Sequence, residues 1–323
     1  ELILEGLLRK DKNGKSVAGL AKSWEKSKDG LKWTFHLRDG IKWSNGDPVT
    51  AKDFKAGWLR ALNPATAASN ANMLFVIKNG EKYNAKKASA EEVGIKAVDD
   101  KTLEVTLEAP VSYFDDLVTF KAYMPLNEKY YNQVKDKYFS EAKYTIAVGP
   151  YTLDDWTHNS ELRLKKNPNY WDAANVKTEN VVLKMIDSNS SVNAFKNDEV
   201  DVTPVTFEQA KEFNGKPELV TAKDGGIYYL LFNVNDPAYK NVKIRKAISM
   251  AINKNDLLTK ALSNSEKATK TFTPQGIGLN GLKGDFAKEV PTDQPKYDVA
   301  EAKKLLAEGM KEAGISKLPN IKI

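Results

Sequence analysis

Strand-like and helix-like periodicities alternate along this chain of 323 residues, and this interleaving limits its fold more than any other feature. Residues 33–38 alternate apolar and polar side chains, starting with Trp33, which predicts a half-buried strand. Apolar residues from Phe54 to Leu62 recur at i, i+4, i+7 and i+8, which predicts one buried face of a helix. Because strands and helices are mixed, the chain is expected to be α/β or α+β.

The same patterns predict the remaining elements. Further strands are predicted after the turn at 148–151 and at residues 103–107, 162–164, 181–186, 200–202 and 227–233. Further helices are predicted at residues 191–197, 207–213, 242–252 and 299–313, with 111–120 as a short helix or loop. Helix N-caps are expected at Thr50, at Asp187 and at Asp298, the first and last with an acid three residues on.

The sequence lacks the residues that most enzyme classes need. It has no cysteine, which excludes disulfides, thiolate zinc sites and cysteine nucleophiles, and its two histidines are His36 and His158. His36 falls on the polar face of its predicted strand and is expected to face solvent. No Gly-rich phosphate loop and no Gly-x-Ser-x-Gly elbow occurs. From the residues alone, the chain is expected to be a soluble binding protein or a non-classical enzyme, with no cofactor and no metal.

The charge pattern argues against a nucleic-acid partner. The formal net charge is +6, but only five of the 49 basic residues are arginine, and the lysines are scattered among acids. Proteins that read bases use arginine for bidentate contacts, so these lysines indicate a solvated surface. No apolar run approaches the roughly 18 residues that a bilayer span needs.

The sequence patterns at both ends predict that a domain is interrupted there. The chain begins with Glu1 and an already apolar segment, and residues 318–323 begin an alternation that stops. The expectation from these features is a piece of a longer precursor.

Two consecutive runs carry a family resemblance. Residues 30–38, GLKWTFHLR, and residues 40–54, GIKWSNGDPVTAKDF, resemble the signature segment of the family 5 extracellular solute-binding proteins. These are the oligopeptide- and dipeptide-binding components of bacterial ABC importers. Further runs resemble the family in the same order, at residues 5–8, 98–107, 149–151 with 167–171, and 228–233 with 242–248.

The resemblance implies a fold and a domain order. The fold is α/β, a periplasmic-binding-protein-like type II (cluster C) two-lobed fold with an extra small α+β domain and an incomplete C-terminal lobe. Residues 1–4 would be a remnant of lobe I, 5–125 the second domain, 126–228 lobe I and 229–323 the start of lobe II. The insertion at 65–95 and the segment at 63–66 favour the oligopeptide branch over the dipeptide or nickel branch.

The resemblance also implies a function. Oligopeptides would be captured between two lobes by hydrogen bonds to the peptide main chain, and delivered to ABC permease subunits. The protein would be a monomer outside the cytoplasmic membrane, lipid-anchored in its full-length form. The alternatives are a relative that binds a signalling peptide, a heme or a glycan, and an unrelated enzyme.

Ligand contacts of the family line up with Asn70, Thr206, Gly226, Tyr229 and Leu231. Asn70 stands where an aromatic is often found, and Leu231 where an acid can occur. These departures favour an apolar site or one for larger peptides. The alternation of residues 227–233 places Tyr229 and Leu231 on one strand face. Ordinary packing in a strand or loop is the alternative for each of the five.

Overall fold

The computed structural model describes residues 2–221, 226–261, 268–269, 271–274, 276, 284–290 and 294–319, and the chain divides into two units, Glu1–Ile186 and Asp187–Ile323. The strands are β1 (Leu8–Lys10), β2 (Ser16–Ala18), β3 (Ala21–Lys26), β4 (Lys32–Leu37), β5 (Ile95–Ala97), β6 (Thr102–Thr106), β7 (Tyr151–Thr157), β8 (Glu161–Lys166) and β9 (Asn180–Lys184).

The helices are α1 (Ala51–Leu62), α2 (Gly80–Asn84), α3 (Phe114–Val118), α4 (Glu128–Val134), α5 (Ser188–Lys196), α6 (Phe207–Ala210), α7 (Pro237–Lys240), α8 (Val242–Ala251), α9 (Lys254–Asp256), α10 (Phe286–Glu289) and α11 (Val299–Glu312). Short 3₁₀ turns connect several of them, among them Ala71–Leu74 and Lys211–Phe213.

A four-stranded antiparallel sheet in the order β3-β4-β6-β5 holds the main core of the first unit. In β4 the side chains of Trp33, Phe35 and Leu37 are buried, as the alternation predicted. His36 lies on the opposite face of β4, half-exposed, with its Nε2 3.8 Å from Glu25 Oε1 on the neighbouring strand. The prediction of a half-buried strand is confirmed.

Helix α1 packs against β5 and β6. Its first turn is capped as predicted, because the Thr50 backbone N–H donates to Asp53 Oδ2 at 2.7 Å. Phe54, Trp58 and Leu62 are fully buried, and the Trp58 indole nitrogen donates to the Tyr123 carbonyl at 2.7 Å. The aromatic stripe of this helix therefore belongs to the core.

A second antiparallel sheet, β7-β8-β9, follows the predicted turn at residues 148–151. Gly149 sits against the N-terminal segment, where a Cβ atom would lie 2.9 Å from both the carbonyl carbon of Ile3 and the carbonyl oxygen of Leu2. That distance is shorter than any ordinary contact, so the close approach requires glycine. Leu153 and Leu164 are the buried residues of this sheet's own small cluster, together with Tyr151.

The buried carboxylate of Glu5 joins the N-terminal segment to the loop that follows β8. Its Oε1 accepts a hydrogen bond from Tyr170 Oη at 2.6 Å, and its Oε2 accepts one from Trp171 Nε1 at 2.6 Å. Burial raises the pKa of Glu5, and the two hydrogen bonds and the charge of Arg9 act against that rise. A carboxylate can be buried here because its oxygens are supplied with donors.

Two arginines complete this arrangement around Trp171. Arg9 Nη2 lies 3.1 Å from Asp172 Oδ2, and its guanidinium carbon lies 5.1 Å from the Trp171 ring centroid. The Arg38 guanidinium carbon lies 3.5 Å from the centroid of the same ring. The Trp171 indole is therefore held by the hydrogen bond that its N–H donates to Glu5 and by the guanidinium groups of Arg9 and Arg38 over its ring.

Helices make up the regular structure of the second unit. Helix α8 packs on α11, with Ile244 and Ala247 buried, and the Lys243 ammonium joins Glu312 at 2.6 Å and Glu308 at 2.9 Å. Asp298 caps α11 by accepting from the Glu301 backbone N–H at 3.0 Å. Asp187 caps α5 by accepting from the two backbone N–H groups of residues 189 and 190. The predicted helices and caps in this unit are confirmed.

Two predicted strands are wrong. Residues 200–202 and 227–233 form no strand, and the described part of the second unit contains none. Period-two hydrophobicity produces a strand only where a neighbouring chain accepts its hydrogen bonds. Among the described residues, no backbone group of 227–232 pairs with another backbone group. The predicted alternation at 318–323 lies largely outside the described residues, and the domain boundaries proposed above stay a prediction.

Asp53→Asn is expected to change how stability depends on pH. Burial raises the pKa of Asp53 from 3.8 to about 6, against the opposing hydrogen bonds from Thr50. An acid with a raised pKa binds its proton more tightly when folded, so ionisation lowers the unfolding free energy as pH rises through this interval. The loss is about 3 kcal/mol for this group.

The asparagine variant keeps an acceptor for the Thr50 N–H but cannot ionise. Urea unfolding at pH 4 and pH 7 should show the variant gaining about 2 kcal/mol relative to the parent between the two values, because part of the loss in the parent has already occurred at pH 4. A constant difference between variant and parent at both pH values would contradict the prediction.

Trp171→Phe is expected to lower the unfolding free energy by about 1–3 kcal/mol, because one oxygen of a buried carboxylate loses its donor. The matched control is Trp156→Phe, since the Trp156 indole nitrogen is buried and has no hydrogen-bond partner among the described residues. Urea denaturation followed by circular dichroism makes the comparison. Equal losses in the two variants would mean that packing, and not the hydrogen bond to Glu5, holds this loop.

Candidate functional site

The predicted ligand residues fall in both units. Asn70 lies in the first unit, and Thr206, Gly226, Tyr229 and Leu231 lie in the second.

Asn70 directly precedes the 3₁₀ turn Ala71–Leu74. Its carbonyl oxygen accepts a hydrogen bond from the Met73 backbone N–H at 3.1 Å. Its side-chain amide is half-buried and makes no hydrogen bond with the rest of the described chain. This amide is therefore available to an external partner.

Thr206 has a local structural role as the N-cap of α6. Its Oγ1 accepts from the Gln209 backbone N–H at 3.4 Å, and Gln209 Oε1 accepts from the Thr206 N–H at 2.9 Å. Gln209 Nε2 also donates to the Ser188 carbonyl at 2.6 Å, which ties α6 to the start of α5. This capping box was missed from the sequence, although Thr-x-x-Gln before a helix is its usual signal.

The remaining three predicted residues lie in an exposed aromatic and aliphatic stretch, residues 226–234. Gly226 is exposed at its start, and the side chains of Tyr228 and Leu231 are 84% and 85% exposed. Tyr229 is 56% exposed and its ring meets Phe272 edge-on, with ring centroids 4.9 Å apart. Sequence reasoning did not identify Phe272, because no periodicity links it to Tyr229 across more than 40 residues.

The hydroxyls next to Phe272 are ordered by hydrogen bonds. Thr271 is buried, its backbone N–H donates to Thr269 Oγ1 at 3.0 Å, and the Thr269 hydroxyl donates to the Thr271 carbonyl at 2.8 Å. Lys254 Nζ lies 3.4 Å from the Thr269 carbonyl and donates to Gln294 Oε1 at 2.8 Å. The hydrogen bonds of Thr269 and Thr271 therefore hold the backbone next to Phe272, whereas the Phe272 side chain itself is exposed.

The chemistry that these residues offer is binding. Residues 226–235 contain no charged side chain, and the stretch presents rings, aliphatic groups and backbone donors and acceptors. In the described part of the chain, no three His, Asp or Glu side chains cluster closely enough to hold a metal ion. Both histidines lie beside carboxylates at the surface, His158 Nε2 at 3.3 Å from Glu141 and His36 near Glu25.

Comparison with known proteins identifies the family. The family model described as "Bacterial extracellular solute-binding proteins, family 5 Middle" matches residues 15–320. The chain belongs to this family. The runs that suggested it from the sequence, at residues 30–38 and 40–54, lie inside the matched range, so the predicted resemblance is confirmed.

Individual relatives agree with this assignment. The chain is 37% identical over 320 residues to the dipeptide-binding protein DppE of Bacillus subtilis, covering 99% of this chain and 58% of DppE. It is 35% identical over 332 residues to the oligopeptide-binding protein OppA of the same organism, covering 99% of this chain and 59% of OppA. The solved structure of Listeria monocytogenes OppA bound to peptide matches with a TM-score of 0.86 and 37% identity, over 98% of this chain and 64% of that one.

These matches confirm the predicted fold class, the α/β type II fold of periplasmic binding proteins. The chain spans somewhat under two thirds of the length of the relatives it matches. The family is one of extracellular solute-binding proteins. Among the described helices, none combines the length and the apolar character that a membrane span requires.

Thr206→Ala is expected to lower stability by about 1 kcal/mol, because the Gln209 N–H loses its side-chain acceptor at the start of α6. The matched control is Thr203→Ala, whose hydroxyl donates only to the adjacent Pro204 carbonyl at 3.3 Å. Thermal unfolding of both variants tests this. If the two lost equal stability, the cap would not be the contribution of Thr206.

Proposed function

We propose that this chain belongs to a receptor that captures oligopeptides outside the cytoplasmic membrane and delivers them to the permease subunits of an ABC importer. It binds its ligand and catalyses no reaction, and its full-length form is held at the membrane by a lipid anchor. Membership of family 5 supports the proposal, as do the peptide-binding names of the Bacillus relatives and the peptide bound to the Listeria protein.

The observation that carries the proposal concerns the backbone of residues 227–232, a stretch of half-exposed and exposed residues. No backbone N–H or C=O group in this segment is bonded to another backbone group of the described residues, and its side chains carry no charge. An extended peptide offers one donor and one acceptor per residue, so it can bind such a segment as an added strand. Each hydrogen bond formed in this way contributes about 0.5–1.5 kcal/mol.

Main-chain recognition accounts for a receptor that accepts many sequences. Every peptide has the same backbone groups, whatever its side chains. Water that bridges ligand and protein is nearly as favourable as a direct hydrogen bond, so the site can fit side chains of different size. The predicted contacts at Asn70, Thr206, Gly226, Tyr229 and Leu231 are part of this proposal.

N-methylation of the ligand tests main-chain recognition. Tetra-alanine and analogues methylated at each inner amide nitrogen in turn are titrated by calorimetry into the full-length receptor that contains this chain. We expect at least one analogue to bind about tenfold more weakly, because losing one hydrogen bond to a buried partner costs roughly 1.4 kcal/mol.

The matched control carries the same extra carbon on a side chain. Tetra-alanine with one 2-aminobutyric acid residue keeps every N–H and should bind about as well as the parent peptide. If every N-methyl analogue bound like its control, main-chain pairing would be ruled out. If none of the peptides bound to the full-length receptor, the proposal of a peptide receptor would be rejected.

A further inference from the structure

Asparagine followed by glycine is a dipeptide that loses its side-chain amide spontaneously, because glycine has no side chain to hinder attack by its backbone nitrogen. The sequence contains five such pairs. The structure describes four of them, which begin at Asn13, Asn45, Asn79 and Asn214. The reactivity of each pair in the folded chain depends on whether the glycine nitrogen and the asparagine amide are free to meet.

In three of the four described pairs, a hydrogen bond holds the glycine nitrogen. The backbone N–H groups donate to carbonyl oxygens three residues earlier, Gly14 to Asp11 at 3.0 Å, Gly46 to Trp43 at 2.9 Å and Gly80 to Ile77 at 2.8 Å. A nitrogen in such a bond must leave its carbonyl before it can attack the neighbouring side chain. Each of these bonds therefore slows the reaction by the cost of breaking it.

In two of these three pairs the asparagine amide is held as well. Asn45 Nδ2 donates to Asp47 Oδ2 at 2.9 Å, and Asn45 Oδ1 accepts from the Asp47 backbone N–H at 3.1 Å. Asn79 Nδ2 donates to the Glu92 carbonyl at 3.0 Å. The amide carbon must swing towards the glycine nitrogen to react, so these side-chain bonds oppose the reaction a second time.

The pair Asn214-Gly215 is free at both reacting groups. Among the described residues, the Gly215 N–H donates to no acceptor and the Asn214 side-chain amide makes no hydrogen bond. Both residues are exposed, in a turn where the Lys216 N–H donates to the Phe213 carbonyl at 2.9 Å. Neither reacting group has to give up a bond before the two meet.

We propose that Asn214 is a deamidation site of this protein, and that folding protects Asn45 and Asn79 from the same reaction. The Gly215 nitrogen attacks the side-chain carbonyl carbon of Asn214, a C–N bond forms, and the amide nitrogen leaves as ammonia together with the Gly215 proton. Water then opens the resulting succinimide at either carbonyl, which gives aspartate or isoaspartate. The product carries a new negative charge, and in the isoaspartate form the turn contains one extra main-chain carbon directly after the buried Phe213.

Peptide mapping by mass spectrometry measures the rate at each pair. The full-length receptor that contains this chain is incubated at pH 8 and 37 °C, folded or in guanidinium chloride, and the gain of about 1 Da per converted amide is followed over time. We expect the ratio of folded to unfolded rate to be near one at Asn214. At Asn45 and Asn79 it should be at least tenfold lower, because freeing the bonded groups costs about 1.4 kcal/mol or more.

Asp47→Ala removes the side-chain partner of Asn45 and should raise the folded rate at Asn45 at least threefold, without changing the rate at Asn214. The matched control is Asp29→Ala, which removes a turn acid that bonds Ser27 and Leu31. Circular dichroism verifies folding of both variants. Asn214→Gln should abolish the gain in mass of the peptide that covers residues 212–216, because the longer side chain cannot close the same five-membered ring.

The comparison of folded and unfolded rates decides the inference. A ratio at Asn214 as low as the ratio at Asn45 would overturn it, since the free turn would then give no advantage. Equal acceleration at Asn45 by Asp47→Ala and Asp29→Ala would also overturn it, because the hydrogen bonds would not be the source of the protection. The proposed peptide binding does not depend on either result.

Discussion

The first unit depends on a buried negative charge. Glu5 leaves water only because Tyr170, Trp171 and Arg9 supply donors, and those donors come from sequence positions as far as 166 residues away. An unpaired carboxylate in this position would cost several kcal/mol, so folding requires the N-terminal segment and the loop after β8 to meet in one arrangement. The stacked guanidinium groups of Arg9 and Arg38 then fix the Trp171 ring.

Alternating apolar and polar residues occur in both units, but they form a paired strand in the first unit and no strand in the second. In the first unit, alternating apolar residues lie in strands whose backbone groups are paired, as in β4 between β3 and β6. In the second unit, the alternating residues 227–233 lie in no strand, and no backbone group of residues 227–232 is bonded to another backbone group of the described residues. Unpaired backbone groups are unfavourable once they are removed from water, and a bound peptide is one way to satisfy them. The segment at which the strand prediction failed is thus the same segment to which the proposal assigns peptide binding.

The sequence by itself determined the local elements and the family. Helix α1 with its Thr50–Asp53 cap, the alternation of β4 and the caps at Asp187 and Asp298 depend on residues within about four positions of one another, so they are visible in a linear pattern. Tertiary structure alone decided the cluster around Glu5, the contact of Tyr229 with Phe272 and the absence of a strand at 227–233. These features depend on which distant segments come together, and hydrogen bonds and ring contacts between segments leave no periodicity in the sequence of either one.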